Sequence, residues 1–386
     1  MKYKMKKRLL CIVASLLLLI LPARAAEPVS AAGLNADELY AEKAEQFGLS
    51  DLYDGAPDEV QDQLGQADLT SEGVQNLLSW EKVVNFLTDN LVEALKDNMG
   101  VIFSLFALLI VMAIYEILRD SFNERGSGRL LDFACAGAAA LIVCQPFYSR
   151  VNELTTAATQ MSDYMEISVP VLTSLLAASG NVTSATVLHL FLYNATVYAG
   201  GLFSSFLLPL AGTYICLGIA SAVTENEGLK TMTLGLRTFV NRCIMILTVA
   251  FTGLLSLQTA ITGAGDSLSR RALKMAVGSF LPVTGNIMSD SVDTLMSSLG
   301  IIKSVAGVFS IIVVFYLIVV PVIKMAVNFI SLKLACFAGD ILGSGRVRSM
   351  LSIIADGYSL LIAIACGLMA MFIVCIAILL KAGGSG

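Results

Sequence analysis

Few side chains in this sequence have the chemistry to act, and most of those stand in or beside long apolar stretches. Lys324 follows Pro321, Lys333 lies within the short apolar segment from Ala326 to Phe337, and Asp340 stands just beyond it. Seven residues is about two helical turns, so Lys333 and Asp340 fall on one helix face, where an ion pair is conceivable. An unpaired charge at membrane depth costs at least about 2.5 to 3.5 kcal/mol. Such residues therefore mark a pathway or a pair, or, more ordinarily, snorkel to the interface. His189, with Tyr193 four residues on, admits a proton relay, although a hydrogen bond between helices is the more common use. Glu116 is placed to reach the interface beside Arg119.

Other chemistries find no residues. Gly343, Ser344, Gly345 and Arg346 make a glycine turn without the spacing of a phosphate-cradling loop, so the chain is not expected to hydrolyse ATP. No G-x-S-x-G or H-E-x-x-H motif occurs, and no paired carboxylates lie in an apolar stretch. The eight cysteines lie in or beside apolar stretches with no C-x-x-C, and His189 is the single histidine. Neither a metal site nor a disulfide framework follows, and no cofactor is implied. The expectation is a protein that is not an enzyme.

The elements that must position these residues are membrane helices. Apolar residues make up 56% of the chain and charged ones 14%, against roughly 25% charged in a soluble domain. Crossing about 30 Å of hydrocarbon takes roughly 20 apolar residues. Candidate spans are Met99 to Leu118, Leu130 to Tyr148, Met165 to Ala178, Val187 to Leu208, Leu210 to Val223, Ile244 to Thr262, Val305 to Ile323 and Tyr358 to Leu380. The third and fifth are short, closer to re-entrant or buried helices. Pro170, Pro209, Pro282 and Pro321 imply kinks or broken helices. Ala195, Ala199, Gly200, Gly201, Gly212 and Gly218 supply the small surfaces by which membrane helices approach.

The fold class is thus all-α: a polytopic helical membrane protein with an N-terminal signal peptide and a small helical exported domain. Lys2, Lys4, Lys6, Lys7 and Arg8 precede an apolar run from Leu9 to Leu21 and an Ala-x-Ala site at Ala23 to Ala25, the pattern of a secretory signal. Between Glu27 and Asp97 sixteen Asp and Glu face only Lys43, Lys82 and Lys96. An acidic, lysine-poor segment is suited to export and unsuited to nucleic acid. It reads as helical, with Asn35 and Glu38 as a cap, Gly48 as a stop, a second helix between Pro57 and Gly65, and a longer one with Trp80, Val84, Leu87, Leu91 and Leu95 on one stripe.

The organisation expected is a signal peptide over 1–25, the acidic domain over 26–98, a first group of membrane helices over 99–263, an amphipathic connection over 264–303 and a second group over 304–386. The positive-inside rule places Arg119, Arg125 and Arg129 in the cytoplasm, with Lys230, Arg237 and Arg242 and then Lys324, Lys333, Arg346 and Arg348. The same count leaves Arg270, Arg271, Lys274 and Lys303 outside, in conflict with the rule. Glu227 to Val240 and Leu268 to Ala276 both read as amphipathic helices at the membrane surface or over a core.

One stretch carries a resemblance. Arg271-Ala-Leu-Lys274-Met-Ala-Val-Gly278-Ser-Phe280-Leu-Pro282-Val-Thr-Gly285, continuing through Asp290, Asp293, Thr294 and Lys303, resembles the stage III sporulation protein AE family. Leu175 to Gly180 ahead of a span, Thr224 and Glu225 before an amphipathic helix, and the terminal apolar helix are similar in order and spacing. The resemblance implies a membrane component of the complex built between mother cell and forespore, in the mother-cell-derived outer forespore membrane, with its exported domain in the intermembrane space. Implied partners are other membrane proteins of the stage III sporulation A-operon type, a cytoplasmic secretion-type ATPase, ring-forming subunits, a forespore membrane partner and the lipid bilayer. The family pattern carries no catalytic residues. The structural candidates are Gly278, Pro282 and Gly285, a frame able to force a bend, then Asp290 and Asp293, and Pro321, Lys324, Lys333 and Asp340. A stand-alone secondary transporter with broken helices near Pro282 and Pro321 and a site of Lys324, Lys333 and Asp340, or an assembly scaffold without a pore, are the alternatives.

Overall fold

Helices of 43, 52 and 57 residues set the scale of the molecule. At 1.5 Å per residue they run roughly 65 to 85 Å, two to three times the hydrocarbon thickness of a bilayer. The computed structural model describes residues 44–64, 74, 79–122, 127–224, 226–251, 253, 285–341 and 345–382. No strand occurs among them. The expected signal peptide, the Asn35 and Glu38 cap, and Gly278 and Pro282 of the bend lie outside the described residues.

The elements are α1 (Leu49–Asp54), α2 (Asp58–Leu64), α3 (Trp80–Phe122), α4 (Ser127–Ala178), α5 (Val182–Leu202), a π-helical turn (Phe203–Leu207), α6 (Leu208–Thr224), α7 (Glu227–Phe251), α8 (Gly285–Ile341) and α9 (Gly345–Lys381). Among the described residues five helices are long and apolar enough to cross a membrane: Glu81–Val111, Val182–Thr224, Glu227–Phe251, Leu299–Ile341 and Val347–Lys381. The residues from Phe47 onward form one compact unit, whose core is the antiparallel pair α8 and α9. Helix α4 lies against both, α5 against α4, α6 against α9, and α3 against α8. Phe309, Phe372, Tyr358, Tyr164 and Met161 fill the interior.

Several expectations are corrected. Met165 to Ala178 is the end of α4 rather than a separate segment. Val187 to Leu208 and Leu210 to Val223 are one continuous 43-residue helical run. Its only irregularity is the π turn, where the Leu208 N–H reaches back to the Phe203 carbonyl. Pro209, which has no N–H, follows at once, and a π turn absorbs the lost bond without breaking the helix. Pro321 breaks nothing either: α8 runs through it, as α4 runs through Pro146 and Pro170. One missing bond in a helix packed over tens of residues does not outweigh that packing. Gly285 begins α8, and Asp290 and Asp293 lie in its first turns.

The stripe on α3 faces away from the packed interior. Val84, Leu91 and Leu95 are 36%, 45% and 44% exposed, while Phe86, Ala94 and Asn98 turn inward. Two contacts fix this rotation: the Phe86 ring lies 4.2 Å from that of Tyr316, and the Asn98 amide donates to the Ser331 hydroxyl at 3.0 Å. Gly48 acts as the sequence suggests, with φ of 74°, a left-handed turn ahead of α1. From there α1 rests on α4 and α8, with Tyr53 and Phe309 ring centroids 6.3 Å apart.

Candidate functional site

Among the described residues, charged side chains meet between the long helices in three places. In the first, Glu153 of α4 accepts from Lys324 of α8 at 2.9 Å and from Arg150, one turn before it, at 2.6 Å. These side chains are 18 to 26% exposed. Burial alone would raise the Glu153 carboxyl, but the two cations outweigh it and hold it below the ordinary carboxylate range. In the second, Asp356 of α9 accepts from Arg237 of α7 at 2.8 Å and from Lys333 of α8 at 3.1 Å. In the third, Asp340 at the end of α8 pairs with Arg348 at the start of α9.

The arrangement follows from helix geometry. Lys324 and Lys333 are nine residues apart, about 13 Å along α8, so no single carboxylate can serve both. Each takes a carboxylate from a different helix, with a second cation opposite. Single carboxylates joining cations from two or three elements act as cross-links, and with charge-assisted bonds on every member the desolvation cost is met. The conceivable pair of Lys333 and Asp340 does not form. Two turns separate them by roughly 10 Å along the axis, and Asp356 and Arg348 offer closer partners. Nor do Lys324, Lys333 and Asp340 share one site.

Asp356, Glu153, Arg150 and the place of Arg237 are what sequence reasoning missed. Arg150 and Glu153 were legible as an i,i+3 ion pair in an otherwise weakly charged helix, and Asp356 as a lone carboxylate just ahead of an apolar run. Around the first cluster the Arg150 Nε and the Tyr358 hydroxyl are buried and unpartnered among the described residues. Phe147 meets Tyr358 edge-on, with centroids 5.1 Å apart.

Three neutral or capping contacts complete the network. His189 Nδ1 lies 3.0 Å from the Thr173 hydroxyl of α4, so the histidine makes a hydrogen bond between helices, and its ring stacks beside Tyr193. Lys303, 5% exposed, donates at 2.6 Å to the Ala382 carbonyl at the end of α9. A cation there satisfies a terminal carbonyl and the negative end of the helix dipole. On α6 and α9 two glycines receive each other's isoleucines: Ile353 fills the space beside Gly218, and Ile215 that beside Gly357. Gly200 also sits at a contact, against Ser162 of α4, whereas Gly201 and Gly212 face open space. No group of three or more metal-ligating side chains occurs among the described residues.

A bundle of cross-linked helices names no reaction, and comparison with known proteins decides what it is. The family model of stage III sporulation protein AE matches residues 66–383. The chain belongs to that family. It is 25% identical over 283 residues to stage III sporulation protein AE of Bacillus subtilis (strain 168), covering 72% of this chain and 70% of that one. No solved structure matches. Family membership spans α3 through α9, and so takes in all three charge clusters of this sporulation protein.

Proposed function

We propose that this protein is the multi-pass membrane platform of a sporulation complex linking mother cell and forespore, required for forespore development and powered by a separate subunit. The observation that carries the reading is the family match across residues 66–383 on a chain whose described residues include five apolar helices of membrane-spanning length. In this reading it sits in the mother-cell-derived outer forespore membrane, its acidic N-terminal region in the intermembrane space. Its partners are other A-operon-type membrane proteins, a cytoplasmic secretion-type ATPase, ring-forming subunits and a forespore membrane partner. The internal pairing of Glu153, Lys324, Arg237, Lys333 and Asp356 supports a structural role for these ions, because each is used in holding helices together.

Deletion in a sporulating strain tests this reading. Forespore development is expected to stop, with the ring-forming subunits no longer recovered with the ATPase from membranes. Complementation by the wild-type chain should restore both. Gradient-driven uptake of a defined solute by the purified chain alone in liposomes would overturn the platform reading in favour of a stand-alone transporter.

A further inference from the structure

Helix α7 is the least covered of the candidate spans, only 11% of its apolar window being buried. An apolar run begins at Cys243, and beyond it Met245, Ile246 and Val249 are 60 to 65% exposed. On the polar side of that boundary Thr231, Gly235, Thr238 and Arg242 recur at spacings of four, three and four, one face of a helix. With Leu234 and Phe239 as walls they line a shallow open groove of about 450 Å³. Where a side chain on Gly235 would stand, nothing lies within 4 Å.

The cations of α7 are not equivalent. Lys230 is paired with Glu227 at 3.0 Å and Arg237 with Asp356 at 2.8 Å. Arg242 is exposed and, among the described residues, has no carboxylate partner. It immediately precedes the apolar run that begins at Cys243, and a guanidinium fork fits a phosphodiester in two-point fashion. With Lys230 paired to Glu227 and Arg237 to Asp356, the charge that α7 leaves unbalanced among the described residues is that of Arg242, and an uncompensated cation at the surface favours an anionic lipid over a zwitterionic one.

We propose that this groove binds an anionic phospholipid. The phosphodiester pairs with Arg242, the headgroup lies over Gly235 between the Thr231 and Thr238 hydroxyls, and the acyl chains run along Met245, Ile246 and Val249. The charge, the notch and the lipid-facing apolar surface are then used together, which a soluble phosphate would not do.

The test is a titration of the purified, delipidated full chain with labelled phosphatidylglycerol, competed by unlabelled phosphatidylglycerol, phosphatidylcholine or inorganic phosphate. Only the first should compete well. Arg242→Gln should weaken binding about fivefold, the worth of one cation at an anionic surface. Gly235→Leu, which fills the notch without touching charge, should weaken it as well. Lys230→Gln, whose cation is already paired, should change it less than about twofold. Thermal unfolding without lipid reports whether each variant is folded, and the two groove variants serve as independent readings should one fail. Equal competition by phosphatidylcholine, or undiminished phosphatidylglycerol binding in the folded Arg242→Gln variant, would overturn the site. So would effective competition by inorganic phosphate, which would assign the arginine to a free anion.

Discussion

Glu153 and Lys324, 171 positions apart in the chain, meet at 2.9 Å between α4 and α8. The pair joins the two longest helices of the molecule, and Arg150 shares the same carboxylate. A carboxylate placed between two partly buried cations holds the helices in register as well as in contact, because sliding either helix by one turn separates the charges by about 5 Å.

Glu153→Gln should therefore destabilise the protein by about 1 to 3 kcal/mol, since it leaves Lys324 and Arg150 facing an amide. The Glu153 carboxyl is held low in the folded state. Its stabilising contribution is accordingly present above the ordinary glutamate pKa and is lost as pH falls through the depressed value. Thermal unfolding in detergent should show wild type converging on the Gln variant as pH falls through and below that depressed value. A constant difference between the two down to acid pH would refute the pairing.

Asp356→Asn should disturb more of the structure than Asp340→Asn. Asp356 holds Arg237 of α7 and Lys333 of α8 at once, whereas Asp340 and Arg348 are 44% and 55% exposed, where an ion pair is worth at most about 1 kcal/mol. Limited proteolysis in detergent is expected to cut α7 faster in Asp356→Asn and at the wild-type rate in Asp340→Asn. Equal rates would show that α7 is held by its apolar contacts alone.

Much of the architecture was legible because it depends on local properties: apolar length, the left-handed turn at Gly48, and small residues such as Gly200 and Gly218 at contacts. What was not legible depends on which helices become neighbours. A pair of Lys333 and Asp340 was conceivable because the two share a helix face, beside the more ordinary reading of snorkelling to the interface. The actual partner of Lys333, Asp356, lies on the next helix and no spacing rule reaches it. The period of Val84, Leu91 and Leu95 left open what their stripe covers; Phe86 and Asn98 are turned inward by Tyr316 and Ser331, side chains more than two hundred positions away. Prolines were over-read for the same reason. Pro321 disfavours a helix in isolation, but Met325, Ile318 and Val314 around it are fully buried, and that packing keeps α8 whole.

Lys303 is expected to hold the end of α9. Its ammonium reaches the Ala382 carbonyl from within a 5% exposed side chain. Lys303→Met keeps most of the stem but loses the donor, so the terminal carbonyl loses its cation at an estimated 1 to 3 kcal/mol. Hydrogen exchange should quicken over the last turns of α9 and stay unchanged in α6. Unaltered exchange at the end of α9 would show that apolar packing suffices there.

The reciprocal notches of α6 and α9 make the sharpest steric prediction. Ile353 occupies the space beside Gly218 and Ile215 the space beside Gly357, so each helix supplies one side chain and one gap. Gly357→Val adds a branched side chain where Ile215 and the Phe147 ring already stand, and overpacking of this kind costs about 1 to 3 kcal/mol. If the clash is the cause, Ile215→Ala should restore much of the loss in Gly357→Val, although alone it opens a cavity and destabilises. Unfolding midpoints of the two single variants and the double variant form the cycle. The rescue must appear as a double variant more stable than Gly357→Val; strictly additive losses would mean that the two residues do not share the space that the packing of α6 on α9 assigns to them.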